Sequence, residues 1–229
     1  SRRPVGERAG LLKRAGDLLE ANTLELTALI AREAGRTLND GLDEVREAVD
    51  FCRYYAAQAE VLLGEVQELP GVTGETNQLR YSARGVWLCI SPWNFPLAIF
   101  VGQIAANLAV GNTVVAKPAE QTPLVARFAL HLFTQAGIES DVLSVLYGDG
   151  PNVGTPLVDD TRVRGVSFTG SHATALMINR QLARRTGPIT PFIAETGGIN
   201  CMFVDSTALP EEVIDDVINS AFRSAGQRC

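Results

Sequence analysis

Apolar residues in the first part of the chain recur at helical spacing. In "ERAGLLKRAGDLLEANTLELTALIAREAG", Leu11, Leu12, Leu18, Leu19, Leu26, Leu29 and Ile30 follow a helical period. Asn22 and Thr23 break or recap this helix and Gly35 ends it. A second helix is predicted from about Asn39 to Leu63, and "LPGVTGET" after it is a turn region.

The pattern then changes. "NQLRYSAR" alternates like a half-exposed strand. Beyond it, short apolar runs alternate with helical stretches. "GVWLCIS", "NTVVAK", "VLSVLY" and "VRGVSF" read as strands. Helices follow them at about Leu97–Val110, Thr122–Ala136, Val153–Val158 and His172–Arg185. "TPFIAE" and "NCMFV" read as further strands, and "LPEEVIDDVINSAFRSAG" as a closing helix. Strands that are nearly all apolar, separated by helices, imply an α/β fold: a doubly wound, mainly parallel sheet covered on both faces. Residues 1–65 are expected to form a helical segment packing on a nucleotide-binding domain of residues 66–229.

In such a sheet ligands bind beyond the carboxyl ends of the strands. The residues there are "PWNFP", "KPAEQ", "GDGPNVG", "TGS" and "ETGG". "GDGPNVG", from Gly148 to Gly154, is a near-match to a dinucleotide fingerprint with one residue too many, and equally a plain strand-to-helix turn. In "SFTGSHATA", Gly170 allows close approach of a ligand to the backbone, and the helix after it offers free N–H groups suited to a pyrophosphate. Ser171 could equally be only its N-cap. Lys117 and Glu120 could hydrogen-bond a ribose diol, with the acid favouring NAD over NADP, or Lys117 could simply be solvated. In "ISPWNFPL" two prolines stiffen the loop around Asn94, whose amide could serve an oxyanion hole or merely a turn. Glu195, at the mouth of an apolar strand, could be a desolvated general base or a surface carboxylate. Cys229 in "GQRC" is either an ordinary thiol or a nucleophile activated by its setting.

Composition narrows the partners. A net charge of −6 with no basic block argues against nucleic acid. "FPLAIFVGQIAANLAVG" is too short, and too interrupted by Gln103 and Asn107, to span a bilayer, so a buried helix is expected. Cys52, Cys89, Cys201 and Cys229 show no metal-ligand spacing, and reduced thiols in a cytoplasmic setting are the default. Cys89 and Cys201 read as strand core residues. The opening "SRRPVGERAG" has neither an initiator Met nor a signal core and reads as an internal segment.

Taken in order, "PWNFP", "AKPAEQTP", "FTGS", "AETGG" and "GQRC" resemble the aldehyde dehydrogenase superfamily over nearly the whole chain. The branch it most resembles is the L-glutamate γ-semialdehyde (1-pyrroline-5-carboxylate) dehydrogenase module of bacterial proline utilization A. The resemblance implies catalytic roles for Cys229 as nucleophile, Glu195 as base and Asn94 as oxyanion donor. It implies NAD contacts at Ile90, Ser91, Pro92 and Trp93, and at Lys117, Ala119 and Glu120. It adds Gly150 and Gly154, then Phe168, Thr169, Gly170 and Ser171, and finally Glu195, Thr196 and Gly197. It also implies that Cys229 stands where a largely missing catalytic domain would begin. The parent would take a small aldehyde and form a dimer or larger homo-oligomer. The resemblance allows a fused proline dehydrogenase domain in the parent, with FAD only in that case, and a peripheral place at the inner membrane. The rivals are a dehydrogenase of another semialdehyde and a non-catalytic NAD-binding module.

Overall fold

The computed structural model of the protein describes residues 3–227. Three helices come first: α1 (Val5–Ala21), α2 (Thr23–Ala34) and α3 (Leu38–Leu63). The break falls at Asn22, whose side-chain amide donates to the Leu18 carbonyl at 2.8 Å. Gly35 ends α2 in the left-handed region at φ 67°, a conformation glycine adopts without strain. Thr37 caps α3 by accepting the Asp40 N–H at 3.2 Å.

The main sheet has five parallel strands. They are β3 (Val86–Ile90), β4 (Thr113–Lys117), β5 (Leu143–Val145), β6 (Val163–Gly170) and β7 (Phe192–Thr196), in spatial order β5-β4-β3-β6-β7. Side chains alternate between its faces with the strand period of two. Trp87 and Cys89 of β3 join a core with α1 to α3, α4 (Ala98–Ala109) and α5 (Pro123–Gln135). Leu88 points the other way, into a core with Phe168, Ala175, Ile178 and Leu182, covered by α6 (Thr155–Asp159) and α7 (His172–Ala183). Trp87 lies beside Gly165 of β6, and its indole N–H donates to Ser167 Oγ at 2.9 Å. A Cβ on Gly165 would come within 2.2 Å of that ring. The expected buried helix is α4, and its polar residues are used: the Gln103 amide donates to Thr169 Oγ1 at 3.1 Å, and that of Asn107 to the Gln103 carbonyl at 2.9 Å. No helix of the described residues is long and apolar enough to cross a membrane.

Several expectations are corrected. The alternating segment from Asn77 yields only a three-residue strand, β2 (Asn77–Leu79), in a separate antiparallel pair with β1 (Gln67–Leu69). "NCMFV" is not a strand: residues 200–204 are exposed, Phe203 at 93%, and belong to neither sheet. Apolar residues make a strand only where an edge offers a ladder and a layer covers the side chains. Cys201 is accordingly exposed rather than in the core. Strand β7 is not covered on both faces either, since Ile193 is 53% exposed. The closing helix stops early. A helix α8 (Pro210–Val217) gives way to a π-type turn (Ile218–Phe222) and a tight turn (Arg223–Gly226) in which Ser224 and Ala225 take positive φ.

Candidate functional site

The chain leaves β3 towards β4 and β5 on one side, then returns to place β6 and β7 on the other. The order therefore reverses between β3 and β6, the crevice where open α/β sheets bind ligands. A cavity of about 520 Å³ opens there, at the carboxyl ends of the strands.

Each strand end supplies part of the wall. From β3 come Ile90, Ser91, Pro92, Trp93 and Asn94. From β4 come Lys117, Ala119 and Glu120, and from the turn after β5, Gly150 and Gly154. Strand β6 gives Phe168, Thr169, Gly170 and Ser171, and β7 gives Glu195, Thr196 and Gly197. The described residues singled out from the sequence thus meet around one space. Cys229 lies outside the described residues, but Gln227 reaches the cavity wall. Reading motif by motif passed over Thr155, Met177 and Gln181, which also line it. Met177 and Gln181 lie on α7, where only their helical phase relative to Ser171 could have pointed to them, and Thr155 opens α6 directly after Gly154.

Lys117 is buried, with 5% of its side chain exposed. Its ammonium donates to the Pro118 carbonyl at 3.1 Å and stands 3.5 Å from Glu120 Oε2. Glu120 is half exposed and also accepts from the Gln121 amide at 3.2 Å. A buried cation and a half-exposed carboxylate are thus held side by side in the cavity wall. Ser91 Oγ is buried with no hydrogen-bond partner among the described residues, which fits a wall built for a polar ligand.

Ser171 is the N-cap of α7, accepting from the Thr174 N–H at 3.2 Å. Capping satisfies one of the four orphan donors of the helix and leaves its first amides at the positive end of the dipole, beside the cavity. The cap and the anion site are compatible rather than alternatives. At Gly170, which lines the cavity, a Cβ would lie 2.6 Å from Phe168 Cζ. The missing side chain makes room for the Phe168 ring. "GDGPNVG" is not a fingerprint turn either. It folds as a π-type turn (Gly150–Gly154) capped by Asp149, which accepts the Asn152 N–H at 2.7 Å. That bond, with the more distant Lys117 charge, holds the Asp149 carboxyl below its usual range.

A second cavity, of about 680 Å³, lies on the other side of β6 and β7, lined by Phe51, Tyr55, Ile99 and Gln103. Phe168, Thr169 and Glu195 line both cavities. Glu195 is exposed rather than buried at the strand mouth, and stands between the two spaces. Asn94 donates its side-chain amide to Gln227 Oε1 at 3.1 Å, across 133 positions of sequence.

The aldehyde dehydrogenase family profile matches residues 1–229. The chain belongs to the aldehyde dehydrogenase family. It is 50% identical over 229 residues to the bifunctional protein PutA of Escherichia coli (strain K12), covering 99% of this chain and 16% of that protein. A variant of Bradyrhizobium japonicum proline utilization A superposes with a TM-score of 0.97 at 56% identity, covering 100% of this chain and 24% of that one. A 1-pyrroline-5-carboxylate dehydrogenase from Thermus, solved with bound NAD, gives a TM-score of 0.95 at 36% identity, covering 99% of this chain and 45% of that one. The chain spans about a sixth of the bifunctional relative and under half of the dehydrogenase from Thermus. In this aldehyde dehydrogenase chain the cavity lies at the strand ends, where the order of the sheet reverses.

Proposed function

We propose that the protein carrying this chain oxidises L-glutamate γ-semialdehyde, the open form of 1-pyrroline-5-carboxylate, to L-glutamate with NAD. The observation that carries this reading is the meeting of Asn94, Glu195 and the strand-end residues around one cavity at the switch point of the sheet. Similarity to PutA and to a pyrroline-carboxylate dehydrogenase solved with NAD supports the choice of substrate and cofactor.

Bound NAD would supply the two-electron acceptor of the reaction. The residues present suit such a group. Lys117 and Glu120 can take the ribose hydroxyls, and the N-terminus of α7 at Ser171 can take the pyrophosphate. Phe168 offers an apolar surface at the border of the two cavities.

The thiolate of Cys229 adds to the aldehyde carbon and the carbonyl oxygen becomes an oxyanion. The Asn94 amide, on a loop stiffened by Pro92 and Pro96, donates to that oxygen; one such donor lowers a barrier by about 3 kcal/mol. Loss of two electrons and the aldehyde hydrogen leaves a thioester on Cys229. Glu195 takes a proton from water, the hydroxide attacks the thioester, and the carboxylate leaves as the thiolate returns. The exposure of Glu195 gives that water a path. The parent protein is expected to carry a fused proline dehydrogenase domain, in keeping with its bifunctional relatives, and is also proposed to be a homo-oligomer.

The test is NADH formation by the full-length protein with 1-pyrroline-5-carboxylate, beside a simple aliphatic aldehyde and a Cys229→Ser control. A strong preference for pyrroline carboxylate, abolished in the control, is expected. Equal or faster turnover of the aliphatic aldehyde would overturn the substrate, and no NADH with any aldehyde would leave a binding module.

A further inference from the structure

Away from the cavity wall, a buried polar cluster joins the first helices to both segments that frame the chemistry. Its centre is Arg36, between α2 and α3, with 8% of its side chain exposed. One guanidinium nitrogen donates to the backbone carbonyl of Asn94 at 2.6 Å, and the other terminal nitrogen donates to Ser224 Oγ at 3.1 Å. Its plane lies over the Phe95 ring, 4.2 Å from the centroid. Glu44 stands behind it, fully buried, with Oε2 3.4 Å from Arg36 Nε. The other oxygen of Glu44 accepts the Leu97 and Ala98 N–H groups at 2.7 and 3.2 Å, capping α4 just after the Asn94 loop.

A second contact ties down the same C-terminal segment. Arg223 Nε donates to Asp40 Oδ1 at 3.0 Å, and Arg223 also pairs with Asp43. Between Arg223 and Gln227 the chain holds two non-glycine residues at positive φ, Ser224 at 56° and Ala225 at 52°. Backbone in that region costs on the order of 1–3 kcal/mol per residue and persists only when its surroundings hold it. The turn therefore needs anchors, and Arg36 and Asp40 bond Ser224 and Arg223 at its start. Neither touches the cavity.

We propose that Arg36, backed by Glu44, is a positioning residue for the reaction. It fixes the Asn94 loop and the strained turn at 224–226 in one frame, and so sets where the oxyanion donor stands relative to the chain leading to the nucleophile. The inference rests on the catalytic roles assigned above. It predicts that Arg36 acts through Asn94. An error of about 1 Å in such spacing costs about a hundredfold in rate.

The test is a double-mutant cycle in the full-length protein: Arg36→Ala, Asn94→Ala and both together, with kcat and KM for NAD measured in each. Arg36→Ala is expected to lower kcat by about a hundredfold while KM for NAD holds. With Asn94 already replaced, removing Arg36 is expected to cost clearly less, because only its hold on the 223–226 turn is left to lose. A general structural role would give the same loss in both backgrounds, and that result overturns the proposal. Should Arg36→Ala not fold, Arg36→Lys keeps the charge beside Glu44 but has one head for two acceptors. It is expected to lower kcat without moving KM for NAD, and wild-type kcat would overturn the proposal. A wild-type protein that oxidises no aldehyde would instead sink the functional reading, and this inference with it; an active wild type without coupling sinks the inference alone.

Discussion

Single residues decide more here than their motifs announce. Gly170 is needed because the Phe168 ring occupies the space its side chain would take. Gly170→Ala must push that ring towards one of the two cavities it borders. Overpacking of this kind costs about 1–3 kcal/mol, so a lower melting temperature is expected together with weaker NAD binding; unchanged affinity would detach Phe168 from the nucleotide. Glu44 shows what sequence reading misses. On its helix it looks like one more surface carboxylate, yet α4 and Arg36 enclose it. Burial pushes its pKa up to about 7, against the opposing pull of the Leu97 N–H and the Arg36 charge, with Glu47 adding to the rise. The folded protein then holds this proton more tightly than the unfolded chain does. Stability from this group is greatest below pH 4.5 and falls as pH rises to about 7, by on the order of 3 kcal/mol. Thermal midpoints of the wild type should therefore drop more between pH 5 and pH 7.5 than those of Glu44→Gln. Parallel slopes would contradict a buried, proton-holding Glu44.

At the scale of elements, helices α4 and α5 begin without a local side-chain cap. Both are capped from a distance by glutamates of the first helices. Glu44 serves α4, and Glu33 accepts the Leu124 and Val125 N–H groups at 2.9 and 2.8 Å for α5. The N-terminal helices thus supply hydrogen bonds as well as apolar cover. Replacing Glu33 by Ala should cost about 1 kcal/mol, as loss of an N-cap does, read as a lower melting temperature with kcat unchanged. The long helices and the parallel strands were legible because their apolar spacing is strong and uninterrupted. Strand β2 was read only as part of the longer alternating "NQLRYSAR", and its partner β1 was not read at all, since "QEL" carries no apolar alternation. "NCMFV" misled in the opposite sense: its composition is that of a strand, but the backbone finds no edge to join. The end of α8 was hidden because "VINSAF" holds no residue that stops a helix outright; beyond the π-type turn at Ile218–Phe222, Ser224 and Arg223 are bonded to Arg36 and Asp40.

For the whole molecule, the candidate site was legible in one dimension because the fold places ligand contacts at strand ends, and strand ends can be counted. What could not be counted is which side of the sheet each residue serves. Glu195 and Phe168 border two cavities, and that fact exists only once β6 and β7 are side by side. The central claim is that the cavity at the switch point holds the dinucleotide, with Lys117 as its buried cation. The direct measurement is calorimetric titration of the full-length protein and its Lys117→Ala variant with NAD. Losing a charge-assisted hydrogen bond worth about 1.5–3 kcal/mol predicts an affinity weakened by about tenfold to a hundredfold. Equal affinity in the two proteins would place the dinucleotide elsewhere and contradict the account.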